Sequence, residues 1–247
     1  SSDLSSIAFR RSTWVPIATG FIEPVLYLLA FGFGMGKLVG DVQTSFGVVD
    51  YTVFIAPGLL ATSAMNGAIY DSTWNVFFKL HESKLYQGML ATPLGPLDVA
   101  LGEMIWALLR GLGYALAFLI VTAPLGLVDG IHSIFAIPAA VIIAFAFASF
   151  GMAITSYFQT YQQMGSINLV ILPMFLFSGS LYPISVYPDW LEFIIRLLPT
   201  WQGIELVRYL WFGVWNGALL IHILYFAVMI ATGLYFTTRR LRHLFMR

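Results

Sequence analysis

Four ionisable side chains fall within stretches otherwise apolar enough to sit in lipid: Glu23, Asp71, Glu103 and Arg110. An ionisable group at mid-membrane costs roughly 3 kcal/mol on insertion scales, so each needs a partner or a task. Glu103, Trp106 and Arg110 share one helical face at offsets of three and four. That spacing favours either a Glu103–Arg110 pairing or snorkelling of both groups to a nearby interface. Glu23 precedes Pro24 one to two turns into the first apolar stretch, where a structural hydrogen bond and a substrate contact are equally good readings. Asp71 is expected near the inner boundary of the second stretch.

Other patterns that invite chemistry fail on spacing. The run Phe31-Gly32-Phe33-Gly34-Met35-Gly36-Lys37-Leu38 resembles a phosphate loop, but Phe31 stands five before Gly36 where Gly is required, and Leu38 replaces the hydroxyl. Gly32 and Gly36, four apart, suit close helix packing instead. This chain is therefore expected to bind no ATP. His81, His132, His222 and His243 have no second ligand at i+3 or i+4, so no metal site is expected; His132 and His222 are assigned to water interfaces. No Ser-His-Asp arrangement is visible, and the chain has no cysteine for a disulfide or thiolate site.

The elements that must hold these groups follow from composition. Of 247 residues, 59% are hydrophobic and 10% charged, against about 25% charged in a soluble domain. With a mean hydropathy of +0.84, the membrane is the solvent. The reading is an all-α polytopic membrane protein, one transmembrane domain over 1–247, with six spans near Ile17 to Leu38, Val53 to Val76, Val99 to Leu125, Ile134 to Phe158, Met164 to Ser180 and Ala218 to Thr237. Residues 1–16, with Leu4, Ile7, Ala8, Arg11, Trp14 and Val15 at helical spacing, read as an interfacial helix. The absent initiator Met suggests a trimmed start. With the N-terminus inside, Arg10, Arg11, Lys79, Lys84, Arg239, Arg240, Arg242 and Arg247 lie on the cytoplasmic side and Lys37, Arg196 and Arg208 outside, eight against three. Both termini are then cytoplasmic.

Two interruptions stand out. Residues 77–98 form the long polar break on the inner side: His81-Glu82-Ser83-Lys84, then the amphipathic run Leu85-Tyr86-Gln87-Gly88-Met89-Leu90, then Pro93 and Pro96 as breakers. The segment Glu82 to Leu90 reads as a surface helix through which a cytosolic partner moves two spans, with Leu85, Met89 and Leu90 entering the partner's groove and Glu82 and Lys84 at the rim. The second, 181–217, is too apolar for a solvated loop. There Trp190, Leu191, Ile194, Ile195 and Leu198 make an apolar face, Glu192 and Arg196 pair at i,i+4, Pro199 ends the first helix, and a second helix runs from Gln202 to Phe212 with Glu205 and Arg208 at i,i+3. The reading is a helical hairpin dipping into the outer leaflet.

Three stretches together resemble the permease subunits of type 2 ABC exporters, particularly the branch of nodulation-factor and other lipooligosaccharide exporters, with daunorubicin-type drug permeases as nearest cousins. They are Gly20 to Leu28, Met89 to Leu94 continuing through Asp98 to Met104, and Pro173 to Pro183 with Ser178, Gly179, Tyr182 and Pro183, followed by Pro199 and Arg208. The resemblance implies a dimer of six-span permeases on two cytosolic ATPase subunits. ATP and Mg2+ sit on those partners, and this chain is neither an enzyme nor a cofactor protein. It also implies docking of the 77–98 helix on the ATPase, a re-entrant hairpin before the last span, and a bacterial inner-membrane location. An aromatic content of 16% suits an amphiphilic substrate: a glycolipid, a lipid-linked saccharide or a hydrophobic drug. With zero net charge no basic excess argues for nucleic acid, and no nucleic-acid partner is expected. The alternatives are a lipid-modifying membrane enzyme, which needs clustered catalytic groups, and a secondary transporter, which ordinarily shows an internal repeat.

Overall fold

The computed structural model describes residues 22–82, 85–128 and 130–245. The expected interfacial helix over 1–16 lies outside them, as do Ser83 and Lys84. The first helix, α1 (Ile22–Val39), widens into a π-helical stretch at Leu28–Phe33. Thr52 Oγ1 donates to the Gly32 carbonyl there at 3.1 Å. A Cβ on Gly32 would lie 2.6 Å from Thr52 Cγ2, so the glycine spacing serves close packing.

The chain then departs from an all-α fold. A two-stranded antiparallel ribbon, β1 (Asp41–Thr44) and β2 (Gly47–Asp50), pairs Asp41 with Asp50 and Thr44 with Gly47. Val42, Val48 and Val49 favour extended backbone, and Gly47 supplies the positive φ of +114° that the tight reversal needs. Asp50 leaves the ribbon and caps α2 (Tyr51–His81), accepting from Thr52 N at 2.8 Å.

A short helix, α3 (Leu85–Leu90), precedes α4 (Pro96–Thr122). Pro96 opens α4 at a position where its missing N–H costs nothing, and the Asp98 carboxylate accepts from Gly95 N at 2.8 Å. A 3-10 turn, Ile131–Phe135, leads into α5 (Ala136–Thr155). Helix α6 (Tyr161–Leu176) starts on a Thr160–Gln163 capping box. Then come α7 (Asp189–Leu197), α8 (Pro199–Trp211) and α9 (Gly217–Phe245). One proline separates α7 from α8. It pushes Leu198 into the extended region (φ −70°, ψ 135°) and then occupies the first turn of α8. The second hairpin helix therefore begins three residues before the expected Gln202.

Helix α5 is the centre, packed on α2, α4 and α9. Its buried face is rich in small residues, among them Ala139, Ala140, Ala144, Ala148 and Gly151, which let neighbouring backbones approach. A Cβ on Gly111 of α4 would lie 2.7 Å from Ala144 Cβ, and one on Gly233 of α9 would lie 2.6 Å from Ser149 Oγ. Among the described residues, five helical segments are long and apolar enough to cross a membrane: α1, α2, α4, Ile131–Thr155 and Gly217–Leu244. Helix α6, where a span from Met164 to Ser180 is expected, has 16 residues, about 24 Å of rise against the roughly 30 Å of a hydrocarbon core. The molecule is a nearly all-helical, polytopic membrane protein.

Candidate functional site

The intramembrane charges pair across helices. Asp71, Asn75 and Lys79 recur every four residues on one face of α2, opposite Glu103 and Arg110 of α4. Arg110 Nη1 donates to Asp71 Oδ1 at 2.5 Å, Asn75 Nδ2 to the same oxygen at 2.6 Å, and Lys79 Nζ to both Glu103 oxygens at 2.8 and 2.7 Å. The Glu103–Arg110 pairing is therefore not formed. Seven residues along one helix are about 10.5 Å of rise, too far for one pair, whereas an antiparallel neighbour offers partners at matching heights. Asp71 lies buried between helices, in a second π-helical stretch, Asp71–Asn75. Such bulges are frequent at functional sites. Gly151 of α5 makes room for it, since a Cβ there would meet Ser72 Oγ at 2.1 Å.

Below this ladder, the expected surface helix from Glu82 to Leu90 lies partly outside the described residues, at Ser83 and Lys84. Phe78–Glu82 is π-helical and continues α2, and Leu85–Leu90 forms α3. Tyr86 is fully buried in a small cluster with Val76, Leu80, Val99, Ala100, Met104, Met152 and Leu241, and Met89 and Leu90 pack against it half-buried. Of the three apolar anchors expected to enter a partner, only Leu85 is exposed, alongside Gln87 and Gly88. An α3 this short has to spend its apolar face on fastening itself to α2 and α4. The Tyr86 hydroxyl is buried beside the Glu103 carboxylate. Burial, and then the neighbouring Glu103 carboxylate, push its phenol far above the usual range.

Beside the ladder runs a groove of about 550 Å³ between α1, α2, α4 and α6, with Glu23, Ser63, Asn66, Arg110, Tyr114 and Asn168 among its lining residues. Glu23 and Asn168 are exposed. At the opposite end of the bundle the Ser178 to Pro183 turn, Pro199 and Arg208 come together. Arg208 is buried, with only 3% of its surface exposed. Its guanidinium donates to the Gly179 carbonyl at 2.7 Å and to Glu205 at 3.1 Å, and it stacks over Phe54 at 4.0 Å. Gly179 holds a φ of +74° against Ile184. Ser178 Oγ donates to Phe175 O at 2.6 Å, and Tyr182 Oη, which accepts from Tyr187 at 2.7 Å, donates to Leu176 O at 2.6 Å. Pro183 leads into the 3-10 turn Ile184–Val186. The Glu192–Arg196 pair forms as spaced.

An ABC-2 type transporter family model matches residues 4–212. The chain belongs to the ABC-2 type transporter family. This permease is 32% identical to Nodulation protein J of Rhizobium leguminosarum bv. viciae over 98% of its own length and 92% of that protein's. It is 33% identical to Nodulation protein J of Sinorhizobium fredii over 82% and 76% of the two chains, and 25% identical to that of Azorhizobium caulinodans over 92% and 89%.

Sequence reasoning singled out Asp71, Glu103 and Arg110 of the permease but missed Lys79 and Asn75 as their partners. The four-residue spacing of Asp71, Asn75 and Lys79 was the available signal. It also assigned His222 to a water interface, whereas His222 is buried and its Nδ1 donates to Gln202 Oε1 at 2.5 Å. No group of three or more metal-binding side chains occurs among the described residues.

Proposed function

We propose that this permease is one half of the membrane part of an ATP-driven exporter that moves an amphiphile from the inner leaflet outward. In this reading it has six spans in a bacterial inner membrane and both termini are cytoplasmic. Residues 1–16 form the interfacial helix, 77–98 the coupling loop and 181–217 the re-entrant hairpin. Helix α6 serves as the fifth span, completed by the turn at Phe177 to Ser180. ATP and Mg2+ belong to a cytosolic partner subunit. The substrate class, a glycolipid, lipid-linked saccharide or hydrophobic drug, follows from the family branch that the sequence resembles and from the groove, which is apolar overall with a few convergent polar groups.

The observation that carries the reading is the fastening of α3. Tyr86 is rooted between α2 and α4 directly below Lys79–Glu103, and Arg110, in the ladder's upper pair, also lines the groove. A displacement of α3 therefore tilts two spans together, as a stiff lever must. Its free surface, Leu85, Gln87 and Gly88, is left for the ATPase.

The test is copurification of the ATPase subunit and amphiphile-stimulated hydrolysis. Gly88 has open space around it, so Gly88→Trp is expected to fold normally, lose the ATPase and lose stimulation. Glu82→Arg is expected to weaken both. Wild-type behaviour in the two variants would end the coupling reading.

A further inference from the structure

Most Lys and Arg side chains among the described residues are committed within the chain. Lys79, Arg110, Arg196 and Arg208 each meet an acid, and Arg240 donates to the Ser156 carbonyl at 3.3 Å and stacks over Tyr157 at 4.7 Å. Arg239 and Arg242 of α9 differ. Both are exposed, neither forms an ion pair among the described residues, and both line one cavity of about 610 Å³. Its other walls are Leu234, Tyr235 and Thr238 of α9 and Leu97 in the first turn of α4. No carboxylate among the described residues lines it; Asp98, beside Leu97, accepts from the Gly95 amide instead.

The cavity stands at the depth of lipid head groups. The apolar stretch Gly217–Leu244 has 28 residues, about 42 Å of helix rise against a hydrocarbon core of roughly 30 Å, which carries its ends into the head-group layer. Tyr235, Thr238, Arg239 and Arg242 recur at spacings of three and four and share one face of α9. Seven and four residues before Tyr235, on the same face, Val228 and Ala231 are exposed and apolar. The basic end therefore opens onto a surface for acyl chains, which a soluble anion would leave unused. Two exposed guanidinium groups one turn apart repel each other. A phosphodiester between them removes that repulsion and matches the planar donor fork of arginine.

We propose that this cavity binds the head group of an anionic phospholipid, with its phosphate held by Arg239 and Arg242 and its chains lying along α9 toward Val228. Basic pockets between helices at a membrane face take anionic head groups in this way. A zwitterionic head group brings its own cation to two uncompensated arginines and fits less well. The site needs only that α9 spans the membrane; in the orientation proposed above the lipid comes from the inner leaflet. Once bound, it bridges the start of α4 and the end of α9.

The experiment titrates the full-length permease, delipidated in neutral detergent, with phosphatidylglycerol and with phosphatidylcholine, counting bound lipid by native mass spectrometry, with inorganic phosphate as a soluble competitor. Arg239→Gln and Arg242→Gln change exposed side chains and spare the core. Arg240→Gln removes a neighbouring charge outside the cavity lining, and Lys37→Gln removes an exposed charge on α1. The first phosphatidylglycerol is expected to bind at least about tenfold more tightly than phosphatidylcholine. Each cavity variant should weaken it about fivefold, the scale of one basic residue at an anionic surface, while Arg240→Gln, Lys37→Gln and added phosphate should leave it unchanged. Equal affinity for the two lipids, or unchanged affinity in both cavity variants, overturns the assignment. Equal weakening by Arg240→Gln or Lys37→Gln overturns it in favour of overall surface charge, and displacement by phosphate overturns it in favour of a soluble anion.

Discussion

Asp71 and Arg110 form the pair whose loss should cost most. Their side chains are 6% and 15% exposed, against 29% for Lys79. Removing one partner of a buried pair leaves an uncompensated charge and costs about 3–5 kcal/mol, whereas replacing both is often close to neutral. Arg110→Ala is therefore expected to destabilise the permease by that amount in denaturant unfolding from micelles, and Asp71→Asn added to Arg110→Gln should recover most of it. Lys79→Ala, at a wetter position, should cost about 1 kcal/mol or less. Equal losses for Arg110→Ala and Lys79→Ala would show that burial does not set the ladder's energetics. Tyr86 makes a separate, pH-dependent claim. Its folded phenol is held above the unfolded value of about 10. The associated stability is thus fully present below about pH 10 and is lost as pH rises from there toward the folded value. Tyr86→Phe should abolish that alkaline loss. Melting temperatures of both proteins across the alkaline range decide it, and parallel curves would refute the claim.

The helices were legible where local chemistry decides them and obscure where neighbours do. Hydropathy marked the long spans, Pro96 and Pro199 marked helix starts and breaks, and the i,i+4 spacing of Glu192 and Arg196 produced the pair that forms. The ribbon at Asp41–Asp50 was missed because two strands of four residues are too short to show an alternation. The inward turn of Tyr86, Met89 and Leu90 was missed for another reason. An amphipathic face looks the same in sequence whether it meets a partner chain or its own bundle. The ladder partners needed the antiparallel packing of α2 and α4, which no single-helix periodicity contains. Packing by small residues was readable, and it makes an element-level prediction. Gly151→Val would drive atoms into the space held by Ser72 and Thr73 and press on the π-helical stretch that carries Asp71. A cost of about 1–3 kcal/mol is expected from such overpacking, measured by unfolding. Gly165→Ala in α6, with no neighbour near its Cβ position, should cost almost nothing; a similar loss at both positions would mean that helix propensity rather than contact sets the effect.

At the scale of the whole molecule, α6 is the element least explained by one copy of the chain. Met164 is its only buried residue among the sixteen, while Leu169, Val170 and Leu172 are exposed, as are the polar Gln163, Ser166 and Asn168. Lipid accounts for exposed leucines but not for an exposed amide partway along the proposed fifth span, where polar groups turn toward protein or water. The exposed part of α9 that carries Leu220, Ile221 and Leu224 is apolar throughout, as a lipid-facing surface should be. In the proposed dimer, a second permease copy against α6 would cover the apolar residues, give Asn168 a polar neighbour and close the groove that Asn168, Glu23 and Arg110 line. Symmetric pairing places the same residues of the two copies near one another around the two-fold axis. The chain's lack of cysteine makes this directly testable. Leu169→Cys and Leu172→Cys are expected to form a disulfide-linked dimer in native membranes on mild oxidation, because a bridge forms only when Cα atoms come within about 7 Å. Leu224→Cys, equally exposed to lipid, should remain monomeric on a denaturing gel. Cross-linking at Leu224 without any at Leu169 or Leu172 would assign the contact to α9 and leave α6 facing lipid.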